Sequence, residues 1–201
     1  AQINNLLYVI GDQTKHKKRS EYDLLATFTN AIETGQTFLV FQPKIDLKNM
    51  KPYGLEALIR WHHPERGFIP PDVFIPLVEE TKLIHLLTDW VLKQALIQCN
   101  ALLKIGYHLP VSINVSAKNL YGPQFFDRCM AIIKESQVPC DLLEFEITEH
   151  TLMIDPETSK NILQKFVNQG IKISIDDFGS GYSSLAYLTQ FPLHYIKIDR
   201  M

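Results

Sequence analysis

Residues 142–149 read LLEFEITE, and the alternation inside this stretch decides the fold. In Glu144-Phe145-Glu146-Ile147-Thr148 the apolar Phe145 and Ile147 take one face of a strand. Glu144, Glu146 and Thr148 take the other, because successive side chains of a strand point to opposite sides. The same alternation recurs downstream, where Ile173 and Ile175 interleave with Ser174 and Asp176, and Ile196 and Ile198 with Lys197 and Asp199. Strands buried on both faces of a parallel sheet read as continuous apolar runs, and these do not. One polar face on several such strands therefore lines the inside of a barrel. Near the C-terminal mouth, that is the active-site position of this architecture.

Working outward, six apolar runs carry a polar group at or just before their C-terminal end: Phe38–Pro43, Tyr53–Arg60, Val111–Ser116, Leu142–Glu149, Ile171–Phe178 and Tyr195–Arg200. Helical segments lie between them. Ser20 can cap a helix through Leu24, Phe28 and Ile32 that Gly35 ends, and Pro70-Pro71-Asp72 opens a short one. A long amphipathic stretch runs from Leu83 to Ile105, closed by Gly106, and a Pro123-led helix reaches Ser136. Asp155-Pro156 reads as an N-cap followed by proline at the first helical position, and Gly170 terminates that helix. A last helix over Ser183–Thr189 precedes the sixth run. Strands separated by helices imply right-handed crossovers and a parallel sheet. A doubly wound sheet gathers its site at one switch point, whereas here polar groups recur on nearly every strand, so the barrel is preferred.

Composition narrows the class. The chain has 201 residues, is 46% hydrophobic, and can bury one main core. A net charge of −2 gives no reason to expect a nucleic-acid polymer or an anionic membrane as partner. Three cysteines with no CxxC pairing fit a reducing cytoplasm better than a disulfide framework. No apolar stretch approaches the roughly 20 residues of a membrane span, and the N-terminal residues do not resemble a signal peptide. Residues 1–20, with the basic run Lys15–Arg19, read as a connector from an upstream domain, and residues 21–201 as the globular domain.

Glu56, Glu146, Asp176 and Asp177 are brought to one mouth of such a barrel, where clustered carboxylates need protons or cations to neutralise them. With Asn114 as an amide donor, the set is all oxygen and suits Mg²⁺ or Mn²⁺ rather than Zn²⁺. Adjacent acids at a strand end can address different ions, and two ions about 4 Å apart can activate water and steady a phosphodiester's leaving oxygen. Lys197 shares their face and can hold water or a phosphate oxygen, with an ion pair to Asp176 or Asp199 as the plainer reading. Arg60, four residues beyond Glu56, can bind a phosphate in a bidentate way. The adjacent His62 and His63 have no matching ligands nearby and are read as structural. The loop from Asp177 to Ser184, DFGSGYSS, lacks the ending of a Walker site.

The stretches FQPKIDL, GLEALIRW, FIPLVEET, SINVSAKNL, FEITE, IDDFGSGYSSL and YIKIDR together resemble the EAL domain family of cyclic-di-GMP phosphodiesterases, from about Tyr22 to Met201. The resemblance implies a TIM-like (βα)8 barrel with one antiparallel strand near its start. It implies metal ligation by Glu56, Asn114, Glu146 and Asp176, with Asp176 bridging to a second ion held partly by Asp177. Lys197 would contact the nucleophilic water or the substrate, and Gln42, Leu58 and Arg60 would face the dinucleotide. Glu149 would hold the loop Asp177–Leu185, which couples the site to homodimerisation. The connector before Tyr22 is similar to the stretch that follows a diguanylate-cyclase-like GGDEF domain, so an upstream GGDEF or sensor domain is expected, and any membrane tether would lie there.

Family members continue into two further strands bearing a glutamate base and a substrate-contacting glutamine, so the barrel is expected to be incomplete here by roughly two βα units. The function implied is hydrolysis of cyclic-di-GMP to linear pGpG with two Mg²⁺ or Mn²⁺ ions. The alternative is a catalytically inactive module that binds the dinucleotide or a protein partner. Another Mg²⁺-dependent barrel with one acid per consecutive strand is disfavoured by the tandem Asp176-Asp177.

Overall fold

The computed structural model describes residues 21–179 and 188–198. The chain divides into two compact units, one formed by residues up to Phe38 together with Arg60–Leu83, the other by Leu39–Ile59 together with residues from Ile84 onward.

The first unit is organised by aromatic packing. Helix α1 (21–33) buries Leu24, Phe28 and Ala31, a spacing that stacks one helical face. Phe28 lies with ring centroids 5.4 Å from Trp61 and 5.8 Å from Phe74. Gly35 ends the helix at φ +73°, a conformation glycine adopts without penalty. Trp61 and His63 lie at the end of a long strand that pairs antiparallel with a short one, β3 (Gly67–Ile69), in the register Trp61↔Ile69. His63 Nδ1 accepts from the backbone N–H groups of Glu65 and Arg66, which makes it the organiser of this turn, in line with its structural reading. Helix α2 (Pro71–Glu79) starts with proline at its first position, as its opening residues predict.

The second unit holds most of the sheet. Strand β1 (Thr37–Asp46) and strand β2 (Lys51–His63) are joined by a four-residue turn, which only antiparallel neighbours permit. Asp46 fastens that turn by accepting from Lys48 N–H and the Asn49 amide. From β2 onward the ladder is parallel through β4 (Val111–Asn114), β5 (Leu143–Thr148), β6 (Lys172–Phe178) and β7 (Tyr195–Ile198). The strand order β1-β2-β4-β5-β6-β7 follows the chain without reversing. That is the winding of a barrel wall; a doubly wound sheet would turn back at a switch point. The fold is thus the mixed α/β, TIM-like type, here as a partial barrel sheet.

Helices cover the outer face. In α3 (Leu83–Lys104) the buried set Ile84, Leu87, Val91, Ala95 and Cys99 keeps helical spacing. Helix α5 (Phe125–Ser136) and helix α7 (Pro156–Asn168) bring Phe125 and Phe166 to the apolar face of β5, where Phe166 stands 4.9 Å from Phe145 between ring centroids. Asp155 caps α7 by accepting from Thr158 N–H, with Pro156 behind it. Helix α5 starts two residues later than Pro123 suggests, because Gln124 takes φ +58° and only Phe125 begins the helical run.

Two short helices follow directly on strands: α4 (Ala117–Leu120), capped by Ser116, and α6 (Glu149–Ile154), capped by Thr148. The apolar runs expected to extend to Ser116 and Glu149 therefore stop as strand at Asn114 and Thr148. The connector at residues 1–20, most of the Ser183–Thr189 segment, and Asp199–Met201 lie outside the described residues.

The cysteines are free, and burial pushes the thiols of Cys99 and Cys129 up to about 11 and about 12. At neutral pH they are protonated and inert. Among the described residues no helix is long and apolar enough to cross a membrane.

Candidate metal centre

The polar rows of the parallel strands are in register. Asn114 lies beside Glu146 on β5, Glu146 beside Ser174 on β6, and Thr148 beside Asp176. Neighbours in register project to the same side of a sheet, so Asn114 and Glu146 share a face on which Asp176, two residues beyond Ser174, also stands. On β2, Ala57, Ile59 and Trp61 are buried, which leaves Glu56 and Leu58 for that inner face and Arg60 on the same side of its strand. Gln42 is exposed on β1.

Glu56, Glu146 and Asp176 each present a carboxylate oxygen within 4.8 Å of the others. Asn114 donates its amide N–H to Glu56 Oε1 at 3.3 Å and brings a neutral oxygen to the edge of the cluster. Lys197 joins all three acids: its Nζ stands 2.6 Å from Glu146 Oε2, 2.9 Å from Asp176 Oδ2 and 3.2 Å from Glu56 Oε2. The ion pair to Asp176 read from the sequence is thus present as one arm of three. A second lysine, Lys44 on β1, reaches the same strand, 2.9 Å from Glu144 Oε1 and 3.3 Å from Glu146 Oε1.

These contacts set the charge states. Burial pushes the Glu56 carboxyl up, the charge of Glu146 adds to this, and Lys197 and Asn114 only partly offset them. Glu146 is also penalised by burial, but hydrogen bonds from Lys197 and Ser112 and the charges of Lys197 and Lys44 bring it below the ordinary carboxylate range. Lys197 is raised: burial would lower it, and its bonds to Glu146 and Asp176 overcome that. Lys44 and Glu144 balance each other. Counted formally, three carboxylates against the single ammonium of Lys197 leave two negative charges in a half-buried site. An all-oxygen donor set carrying that charge fits a hard divalent cation.

Asp177 is not among the three acids of the cluster. It takes φ +55°, in the left-handed region, where the pairing of β6 with β7 shifts register between Ile175 and Phe178. Its N–H donates to Asp176 Oδ1 at 2.9 Å, which orients that ligand candidate. Glu149, first residue of α6 and buried, accepts from Gly179 N–H at 3.3 Å and so restrains the start of the loop that follows Asp177. Lys44 is the residue that the sequence reading passed over. It lies two positions beyond Gln42 on one strand, hence on the same face, and that spacing was the available signal.

A partial parallel barrel with an acidic, lysine-bridged cluster at its strand ends defines a class of metal-dependent α/β domain. Comparison narrows it: residues 25–201 match the EAL domain family, and the chain belongs to that family. It is 38% identical over 180 residues to the cyclic di-GMP phosphodiesterase PA2567 of Pseudomonas aeruginosa, covering 89% of this chain and 31% of that protein. To the bifunctional diguanylate cyclase/cyclic di-GMP phosphodiesterase MucR of the same organism it is 39% identical over 184 residues, 90% of this chain and 27% of that one. The solved PaMucR phosphodiesterase in complex with c-di-GMP superposes with a TM-score of 0.84 at 38% identity, covering 88% of this chain and 72% of that chain. The chain therefore spans about a third or less of the curated relatives it matches.

Proposed function

We propose that this domain is a metal-dependent phosphodiesterase that hydrolyses one ester bond of cyclic-di-GMP to give linear pGpG in bacterial second-messenger signalling. The observation that carries the reading is the cluster of Glu56, Glu146 and Asp176 around Lys197, with its surplus of two negative charges, at the strand ends of an EAL-family domain. The naming of its relatives as cyclic di-GMP phosphodiesterases supports the choice of substrate.

On this reading Glu56, Asn114, Glu146 and Asp176 would hold one Mg²⁺ or Mn²⁺ ion, and Asp176 and Asp177 would help to hold a second. When bound, such ions polarise a phosphoryl oxygen and ease the deprotonation of water. The chain's own residues do the rest. Glu56, Glu146 and Asp176 fix the donor geometry, and the backbone of Asp177 holds Asp176 in place. Lys197, charged because its partners raise it, donates hydrogen bonds to the attacking water or to a phosphate oxygen. The substrate roles of Gln42, Leu58 and Arg60 follow from the family resemblance. Glu149 ties the start of the loop beyond Asp177, through which a homodimer would form. A cytoplasmic location and an upstream GGDEF or sensor domain complete the proposal.

In the intact protein carrying this domain, Glu56→Ala and Asp176→Asn should each abolish turnover of cyclic-di-GMP while circular dichroism stays that of the wild type. Undiminished turnover in either folded variant would contradict the assignment.

A further inference from the structure

Glu146 divides its two oxygens. Oε2 lies 2.6 Å from Lys197 Nζ within the cluster, while Oε1 lies 3.3 Å from Lys44 Nζ. Lys44 is in turn anchored 2.9 Å from Glu144 Oε1, with 13% of its side chain exposed against 3% for Glu144. Glu144 is outside the group of acids able to share an ion, so it serves the lysine and not the site. The lysine stem has a shaped path. Gly54 on β2 is buried, and a Cβ there would stand 3.3 Å from Lys44 Cε and 3.2 Å from Pro110 O. A largely covered lysine threaded past a glycine to an acid of its own is a fixed element.

We infer that Lys44 is a positioning residue that withholds Glu146 Oε1 from the metal centre and thereby sets the preference of the site for Mg²⁺ or Mn²⁺ over Ca²⁺. The inference rests on the proposed role of Glu146 as a metal ligand. Mg²⁺ demands near-ideal octahedral geometry, which single carboxylate oxygens satisfy. Ca²⁺ takes six to eight oxygens at longer distance and readily accepts a carboxylate through both. A Glu146 limited to one oxygen suits the smaller ion and removes a donor the larger one would use. Groups behind the ligands commonly alter metal affinity by about 10–100-fold.

The test is calorimetric binding of Mg²⁺, Mn²⁺ and Ca²⁺ to the intact protein, its Glu146→Gln variant, and the double variant Lys44→Met/Glu144→Met. The double variant removes the buried pair together and leaves no lone charge. The ratio of Ca²⁺ to Mg²⁺ dissociation constants should shrink about tenfold in the double variant. Lys44→Arg should keep the wild-type ratio. If the double variant does not fold, Lys44→Gln, which shortens the reach to Glu146, is read the same way. An unchanged ratio in a folded variant, with Mn²⁺ binding still lost in Glu146→Gln, overturns the inference alone. Mn²⁺ binding that survives in Glu146→Gln, or is absent from the wild type, overturns the metal role of Glu146 and the inference with it.

Discussion

Lys197, on the last described strand, sets its ammonium 2.6 Å from Glu146 Oε2, two strands away across β6. That contact, with its longer arms to Asp176 and Glu56, keeps three carboxylates assembled at one point without an ion. The compensation is incomplete, and two of the three carboxylates respond oppositely: Glu146 is held ionised, whereas Glu56 is pushed toward the protonated form. A divalent cation would resolve both.

Glu56→Gln should stabilise the metal-free domain. A carboxyl raised in the folded state contributes stability below its unfolded value, and that contribution is lost as pH rises through the raised one. Once pH rises through that raised value, the ionised Glu56 is a burden that the amide removes. In chelator at pH 7 the melting temperature should rise by about 2–4 °C, the shift of about 1 kcal/mol in a domain of this size. A lower melting temperature would mean that its bonds to Lys197 and Asn114 outweigh the repulsion.

Glu146→Gln should act in the other direction. Its depressed carboxyl contributes stability above the ordinary glutamate range, lost as pH falls through the depressed value. Metal-free melts of the wild type should accordingly weaken below about pH 4.5, where an ordinary glutamate takes up its proton. The Gln variant should lack that part of the acid dependence, and an identical pH profile would refute it.

Lys197→Met should lower stability without metal and enlarge the gain on adding Mn²⁺. Removing the ammonium leaves Glu56, Glu146 and Asp176 to repel one another, and breaking a buried pair on one side costs about 3–5 kcal/mol, less here because the site is partly exposed. An ion then replaces a missing cation instead of displacing one. Thermal melts with and without Mn²⁺ read both effects, and an unaltered Mn²⁺ gain would show that the lysine does not compete.

Asn119→Ala should cost about 2–3 kcal/mol in urea unfolding. The Asn119 amide is fully buried and donates to Thr88 Oγ1 at 2.6 Å, while its oxygen faces His85 Nδ1 at 2.8 Å. It pins α4 to α3 directly behind the strand that ends in Asn114. A loss under about 0.5 kcal/mol, ordinary for a surface change, would contradict this role.

Much of the site was legible in the sequence because strand alternation is unambiguous: Glu146, Ser174 and Asp176 fall on one face by count alone, and the register puts them side by side. The antiparallel β1 came only from family resemblance, since a single strand's direction leaves no periodic trace. Helices α4 and α6 span four and six residues, too few for a 3.6-residue repeat to declare itself. Lys44 escaped notice because a lysine next to Pro43 near a turn reads as a solvated surface residue. Its burial depends on Gly54 across the turn and on Glu144, which is distant in sequence. The left-handed backbone of Asp177 is equally invisible, as nothing in a tandem of acids announces a register shift.

The most direct measurement is incubation of the intact protein with cyclic-di-GMP and Mn²⁺, with the products resolved by chromatography. The account predicts linear pGpG, formed by the wild type and absent when Glu56 or Asp176 is neutralised. Dinucleotide that stays intact with a wild-type protein shown to bind Mn²⁺ would contradict it.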